Sequence, residues 1–342
     1  MTSVDTVSTA APTGGVVEAR ELSVRRAVRS YVGTGLRVLV AIALIAAVGV
    51  ALADRWGQVQ PELVRANPLA LVASLIAVVA GLHLAMASWR ILLEGLGSPL
   101  TGGVARRIFF VGQLGKYLPG SVWPVLVQME MGRAHGVPSS RMVVSFFVSL
   151  GLSVLTGTIL GAPVLLLAGD DLVWLQWPAV AVAAVGTVVL LWPRVLNHLL
   201  IAGLRLLRRP PLERPFTGST VARATLLMVA TWGCFGLGLW LLAVDLGADA
   251  QTALPVSVSG YALAFTAGLL FVLAPAGVGV RDALLVVTLA PVLGGASATA
   301  VALLSRLVAT VADIGVALWA IAGRRLSARA NRRVDQPDGA RS

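Results

Sequence analysis

Long uncharged apolar runs alternate along this chain with short segments in which arginine and aspartate gather. The runs fall at 38–53, 68–89, 142–168, 172–192 and 224–244, and another at 296–323 carries only two charges. Most are near the ~20 helical residues that cross a hydrocarbon core about 30 Å thick, so about six full spans are predicted. Two further apolar regions are interrupted. Ile108–Met131 is broken at Leu118-Pro119-Gly120-Ser121, and Val256–Leu293 at Ala274-Pro275-Ala276-Gly277-Val278-Gly279. Proline removes a helical donor and glycine frees the backbone, so each break marks the tip of a hairpin. Arms such as 108–118 are too short to span at about 1.5 Å per residue. Non-helical backbone survives at membrane depth only where protein or a water-filled cavity surrounds it. Both regions are therefore predicted to be re-entrant hairpins, with one alternative for the second: a single span followed by an interfacial helix. Trp123-Pro124 inside an arm predicts a kink, and 195–207, apolar with a basic end, predicts a surface helix.

Composition narrows the class. Hydrophobic residues make up 57% of the chain and charged ones 13%, against about 45–50% and 25% in soluble domains. That excludes a soluble globular enzyme, a disordered chain and a nucleic-acid-binding module. The formal net charge of +11 is then read by position. Arginines gather before residue 38, at 90, 106 and 107, at 133 and 141, through 194–223 and after 323. The other loops, holding Asp54, Glu62, Asp170, Asp171, Asp245 and Asp249, are neutral or acidic. Since cytoplasmic loops carry the Lys and Arg excess, one topology satisfies every loop, with both termini on the cytoplasmic side of an inner (plasma) membrane. Residues 1–36 read as a disordered basic tail, 37–323 as the membrane domain and 324–342 as a second basic tail. The halves 37–168 and 172–323 each run span, span, broken hairpin, span. An odd number of crossings inverts the second half, which predicts an all-α integral membrane bundle of inverted repeats. Ala51-Leu52-Ala53 looks like a signal-cleavage site, but the long tail before it and the spans after it favour a first helix.

Six ionisable residues remain inside apolar segments: Lys116, Glu130, Arg281, Asp282, Arg306 and Asp313. A charge at the bilayer centre costs at least about 2.5–3.5 kcal/mol, so such groups pair or bind something. Lys116 is the sole lysine among 27 basic residues. Arg306 and Asp313, seven apart, share a helix face. One reading has these charges merely tying helices together, with Glu130 neutralising Lys116. The other is a polar cavity for an anion, with Lys116 and Arg281 at converging hairpin tips and short helices from Ser121 and Arg281 adding their positive ends. His83, His135 and His198 are scattered and Cys234 stands alone, so no metal-ligand spacing exists. His83 reads as a packed polar residue, and the tryptophans as an interfacial belt or, for some, the lining of a lipid path. No nucleophile motif or paired-carboxylate arrangement stands out, so neither catalysis nor a cofactor is expected.

The stretch Gly112-Gln113-Leu114-Gly115-Lys116-Tyr117-Leu118-Pro119-Gly120-Ser121-Val122-Trp123, with Gly132-Arg133-Ala134-His135-Gly136 after it, resembles a known family. It is similar to the lysylphosphatidylglycerol synthase transmembrane region, the flippase-like domain family. The family's second motif, Pro-x-Gly-x-Gly before an acidic residue, is matched by Pro275-Ala276-Gly277-Val278-Gly279-Val280-Arg281-Asp282, and its late arginine by Arg306. The resemblance covers roughly 37–323. It implies a transporter-like fold that moves an amphipathic lipid between leaflets. The chain ends at Ser342, so it is expected to be a stand-alone member without the synthase domain of fused relatives, which leaves the lipid open. The expected substrate is a phosphate-bearing lipid, either a phospholipid or a polyprenyl-phosphate-linked glycan. Its contacts would come from Lys116, Tyr117, Pro119, Gly120 and Glu130, from Pro275, Gly277, Gly279, Arg281 and Asp282, and from Arg306 and Asp313. Lys116, Arg281 and Arg306 would hold the phosphate, while Glu130, Asp282 and Asp313 neutralise the empty site or carry a coupling proton. Anionic lipids are expected against the cytoplasmic face, and no nucleic acid. The alternative is a non-transporting scaffold or regulator of a glycosyltransferase or lipid-modifying enzyme.

Overall fold

The computed structural model describes residues 56–117, 122–167, 173–206, 214–270 and 279–334. The predicted first span, the aspartates at 170 and 171, and both hairpin tips, including Pro119, Gly120, Pro275 and Gly277, lie outside the described residues. Those described form helices and no strand. In chain order the helices are α1 Trp56–Arg65, α2 Pro68–Gly95, α3 Gly102–Gln113, α4 Trp123–Arg133, α5 Ser139–Leu167, α6 Val173–Leu191, α7 Pro193–Leu206, α8 Gly218–Asp245, α9 Ala250–Leu270, α10 Val280–Leu293 and α11 Gly295–Val334. A 3₁₀ turn, Leu114–Tyr117, extends α3.

Among the described residues five helices are long and apolar enough to cross a membrane, α2, α5, α8, α9 and α11, with a sixth crossing if the bent pair α6 and α7 counts as one. Their apolar residues run all round rather than along one stripe, which suits a helix between protein and lipid. Inward faces close on Trp89, Phe109, Phe110, Trp232, Leu239 and Leu242, while Leu69, Ile76, Trp177, Val185 and Leu318 project outward. Chain entry is set by caps. The Asn67 side chain accepts the Leu69 N–H at 2.9 Å with Pro68 at the first helical position, and Thr217 accepts the Thr220 N–H at 3.2 Å. Both are ordinary N-cap chemistry. α7 turns 103° away from α6, so the two do not form one straight span.

Two local expectations are corrected. The kink at Trp123-Pro124 is not formed, because α4 starts at Trp123 and places Pro124 in its first turn. A proline there removes an N–H that no helical carbonyl would have accepted. The second broken region does not begin at Val256 with a short arm. Asp249 caps α9 by accepting the Thr252 N–H at 2.9 Å, so the helix begins at Ala250 and runs 21 residues. At the usual rise this is about 31 Å, enough to cross alone. The first arm of the second broken region is thus a helix long enough to cross, and the shorter α10 follows the break.

The packing is reciprocal between the halves. α2 lies against α8 along most of its length; α5 packs on α9, and α11 packs on α3. Each half's closing helix thus meets the first arm of the other half's broken region. Backbones come close where this happens. A Cβ at Gly161 of α5 would lie 2.8–2.9 Å from Leu263 of α9, and one at Gly236 of α8 would lie 2.5 Å from the Val258 Cα.

Candidate functional site

α11 carries the site. Arg306, Thr310 and Asp313 succeed one another at intervals of four and three, so they stack on one face. Sequence reading leaves open which partners they meet; in the structure each charge reaches a different hairpin. Asp313 turns to the first. Lys116 Nζ lies 2.7 Å from Asp313 Oδ2, and the Tyr117 hydroxyl donates to the same oxygen at 2.6 Å. Arg306 turns to the second, where its Nη1 donates to Asp282 Oδ2. Asp313 is only 4% exposed and Asp282 9%, so both carboxylates are largely out of solvent. Such groups stay charged only when paired.

The first hairpin delivers Lys116 through a tight approach of its two arms. A Cβ at Gly115 would lie 2.7 Å from Pro124 N and 2.8 Å from the Trp123 carbonyl carbon. Only glycine lets the 3₁₀ turn sit this close to the start of α4. The second is set by Gly279, whose φ of +89° opens α10, a backbone region L-residues rarely adopt. The Gly279 N–H donates to Asp282 Oδ2 at 3.2 Å. Asp282 therefore occupies the positive end of α10 itself, and that helix terminus is not free to add to an anion field as the sequence suggests. α4 begins at Trp123 rather than Ser121, with no side-chain cap.

Arg281 stands apart from these pairs. It is 8% exposed and donates from Nη2 to the Tyr261 hydroxyl at 2.9 Å. Its guanidinium lies 4.8 Å from the Tyr261 ring centroid and 5.7 Å from that of Phe265. Among the described residues it has no carboxylate partner, and its Nε is buried without an acceptor. Lys116, Arg281, Arg306, Asp313 and Tyr117 all line one cavity of about 470 Å³, whose remaining wall is mainly apolar and aromatic.

The sequence-derived set is thus partly assembled. Lys116, Tyr117, Gly279, Arg281, Asp282, Arg306 and Asp313 converge. Glu130 does not: it is exposed on α4 beside Arg133, 3.8 Å away, and Lys116 is neutralised by Asp313 instead. The register of α4 is the reason, since it buries Gln128 and so turns Glu130, two residues on, outward. Three participants go unnoticed in the sequence: Tyr261, Phe265 and Gln128, whose buried Oε1 has no partner among the described residues. Gln128 carries a signal, being an amide inside an apolar arm; the aromatics carry none. The belt reading fails for Trp89 and Trp232, which are buried and line the cavity. His83 is packed, with Nδ1 2.9 Å from the Val79 carbonyl and its ring against Phe110.

No group of metal-ligating side chains occurs among the described residues. No curated protein matches the chain. The model of the family described as the lysylphosphatidylglycerol synthase TM region matches residues 36–317, which take in every member of the cluster from Lys116 to Asp313. The region defining that family is a non-catalytic, flippase-like membrane domain. With five described helices long and apolar enough to cross a membrane and this match across most of its length, the chain belongs to the lysylphosphatidylglycerol synthase TM region family.

Proposed function

We propose that this flippase-like membrane protein moves a phosphate-bearing lipid between leaflets, and that the head-group phosphate binds in the α11 cavity. The observation that carries the reading is the charge balance there: three cations face two carboxylates, and the cation in excess is the buried Arg281. A mainly apolar cavity of about 470 Å³ is within the range of small-ligand sites. Its apolar wall suits acyl or prenyl chains, and its charged floor suits a phosphate. Arg281 Nε supplies an unused donor directed at neither carboxylate.

The pairs also supply a route from binding to motion. Asp313 holds the first hairpin to α11 through Lys116 and Tyr117, and Asp282 holds the second through Arg306. A phosphate beside Arg281 competes with each carboxylate for its cation. Binding then weakens two ties between the hairpins and α11, which is the differential interaction a ligand needs to shift a conformational equilibrium. The reciprocal contacts of the halves support rocking of inverted repeats about this point. The arginine distribution supports cytoplasmic termini.

The test is transport by the purified chain in liposomes with head-group-labelled lipids of several classes. Arg281→Gln is expected to lower transport of the phosphate-bearing substrate at least about tenfold, because a charge-assisted hydrogen bond is worth about 1.5–3 kcal/mol. Movement of no labelled lipid by the folded protein, or full activity of Arg281→Gln, would refute the proposal.

A further inference from the structure

Besides its charges, the α11 cavity is lined by four polar side chains: Gln113 at the end of α3, Gln128 of α4, and Ser149 and Ser153 of α5. The two serines, four residues apart, share one helix face. A helical hydroxyl commonly bonds back to a carbonyl of the preceding turn. Ser145, Thr156 and Thr158 of the same helix do so at 2.9, 2.6 and 2.8 Å. The Ser149 and Ser153 hydroxyls and the Gln113 amide make no hydrogen bond among the described residues. Gln128 is 1% exposed, and its Oε1 has no partner there either. The Trp89 indole N–H, on the same cavity wall, lacks an acceptor. Buried polar atoms left unanswered are costly, so this many around one cavity calls for a partner that the chain itself does not supply.

The two amides lie close to the charged floor. Gln128 packs across Gly112, where a Cβ would lie 2.6 Å from the Gln128 Cγ. Gln113 follows at once, and the 3₁₀ turn after it carries Lys116, about 6 Å on at that turn's rise of about 2 Å per residue. The amides thus stand about one small alcohol away from the cations. Each amide both donates and accepts, and so does each serine hydroxyl. A group that answers such a set must do both. A hydroxyl does, whereas an ammonium only donates and a quaternary ammonium does neither. The charge agrees, since three cations face two carboxylates and the excess repels a cationic group. Trp89 and Phe109, with ring centroids 5.5 Å apart, would suit a choline, but that same excess opposes it.

We propose that Gln113, Gln128, Ser149 and Ser153 select the head group, and that the lipid carries an uncharged alcohol with free hydroxyls, a polyol or a sugar, on its phosphate. The inference rests on the phosphate site proposed above and concerns what lies beyond the phosphate. Arg281 holds the oxyanion, and the two amides and two serines take the hydroxyls. A lipid with the same charge and no hydroxyls leaves those four groups unanswered when it displaces water from the cavity. A site built to hydrogen-bond a hydroxyl rejects the analogue that lacks it for this reason.

The experiment measures lipid binding to the full chain in delipidated detergent micelles, by native mass spectrometry and thermal stabilisation, with acyl chains held constant. Phosphatidylglycerol and phosphatidylinositol present an open-chain and a cyclic polyol. Phosphatidylpropanol keeps the charge and carbon count of the glycerol lipid but lacks its hydroxyls. Phosphatidylethanolamine and phosphatidylcholine present the two kinds of ammonium. At least one polyol lipid is expected to bind at least about tenfold more tightly than phosphatidylpropanol and than either ammonium lipid; which one it is separates an open chain from a ring. Gln128→Met, an apolar chain of similar volume in place of an orphaned amide, should cut that ratio to about threefold or less, and S149A/S153A should lower it too. Taking the ratio on one protein separates lost preference from lost fold, because a misfolded variant loses every lipid. Arg281→Gln should weaken all the anionic lipids. Binding that depends on Arg281 but ignores the hydroxyls, or that favours an ammonium lipid, would overturn this inference and leave the phosphate site standing. A polyol preference unmoved in both Gln128→Met and S149A/S153A would also overturn it. Binding of no lipid, or none that depends on Arg281, would remove both.

Discussion

Replacing Asp313 by Asn tests the centre of the structure most directly. The change keeps side-chain shape but removes the charge that faces Lys116 Nζ at 2.7 Å and the Tyr117 hydroxyl at 2.6 Å. Removing one member of a buried ion pair costs about 3–5 kcal/mol, because the other is left uncompensated. The Lys116 side chain is 27% exposed and can turn toward the cavity, which places the expected loss lower, at about 2–3 kcal/mol. Lys116→Met should cost a similar amount by stranding Asp313. Combining Lys116→Met with Asp313→Asn should give a loss well below the sum, with a coupling of at least about 1.5 kcal/mol. Unfolding of the four proteins in detergent measures this cycle. Additive losses, within about 0.5 kcal/mol, would refute the pairing. Transport by the double variant then separates the roles of Lys116. If it contacts the phosphate, stability returns and transport does not; if it only neutralises Asp313, both return.

Further predictions follow from individual contacts. Glu130→Gln, altering an exposed residue beside Arg133, should leave transport intact and shift stability by no more than about 0.5 kcal/mol; a large loss would return Glu130 to the site. Gly236→Val should destabilise by about 1–3 kcal/mol through overpacking, since even a Cβ there lies 2.5 Å from the Val258 Cα, and a thermal scan showing no change would deny the close helix approach. Hydrogen bonds from the Thr252 N–H and hydroxyl hold the Asp249 carboxyl below its ordinary value. Its contribution is therefore present above the unfolded carboxylate range and lost as pH falls through the folded value. The melting difference between wild type and Asp249→Ala should accordingly close on acidification, and a constant difference would assign it to something other than this carboxylate. Single cysteines at 208 and 249 in a Cys234→Ser background should label from outside intact cells at 249 and not at 208; the reverse pattern would invert the proposed topology.

What the sequence reveals follows from the range of each physical signal. Transfer free energy acts on windows of about 20 residues, so the spans at 68–89, 142–168, 224–244 and 296–323 are legible with no partner in view. Backbone chemistry acts over a few residues, so Gly279, at the start of α10, is legible as a break in the helical pattern. Facing is harder. Successive helical residues differ by about 100°, so Gln128 and Glu130 point apart, and an arm as apolar as α4 does not announce which side is inward. Pairing is harder still. Arg306 and Asp313, nearly two turns apart, are legible as a shared face, but Asp282 and Lys116 reach them across 24 and 197 residues of sequence. Trp89 and Trp232 show the same limit, because an aromatic in a span is equally suited to a membrane boundary and to a cavity wall.

The placement of the charges is coherent on energetic grounds. A cavity of three unpaired cations would repel itself and resist insertion, whereas complete neutralisation would leave an anion nothing to gain. The structure lies between these extremes. Two cations are held by carboxylates on opposing elements, and the third is held by aromatic faces and a tyrosine hydroxyl. Aromatic contact stabilises a guanidinium without cancelling its charge, so Arg281 remains attractive to an anion while tolerable in its absence. The carboxylates serve a different end, because each pairs with a cation across elements and so joins a hairpin to α11. A ligand that draws on Lys116 or Arg306 must loosen those joints, and one that binds Arg281 alone need not. Head-group charge should therefore decide whether binding is silent or moves the hairpins.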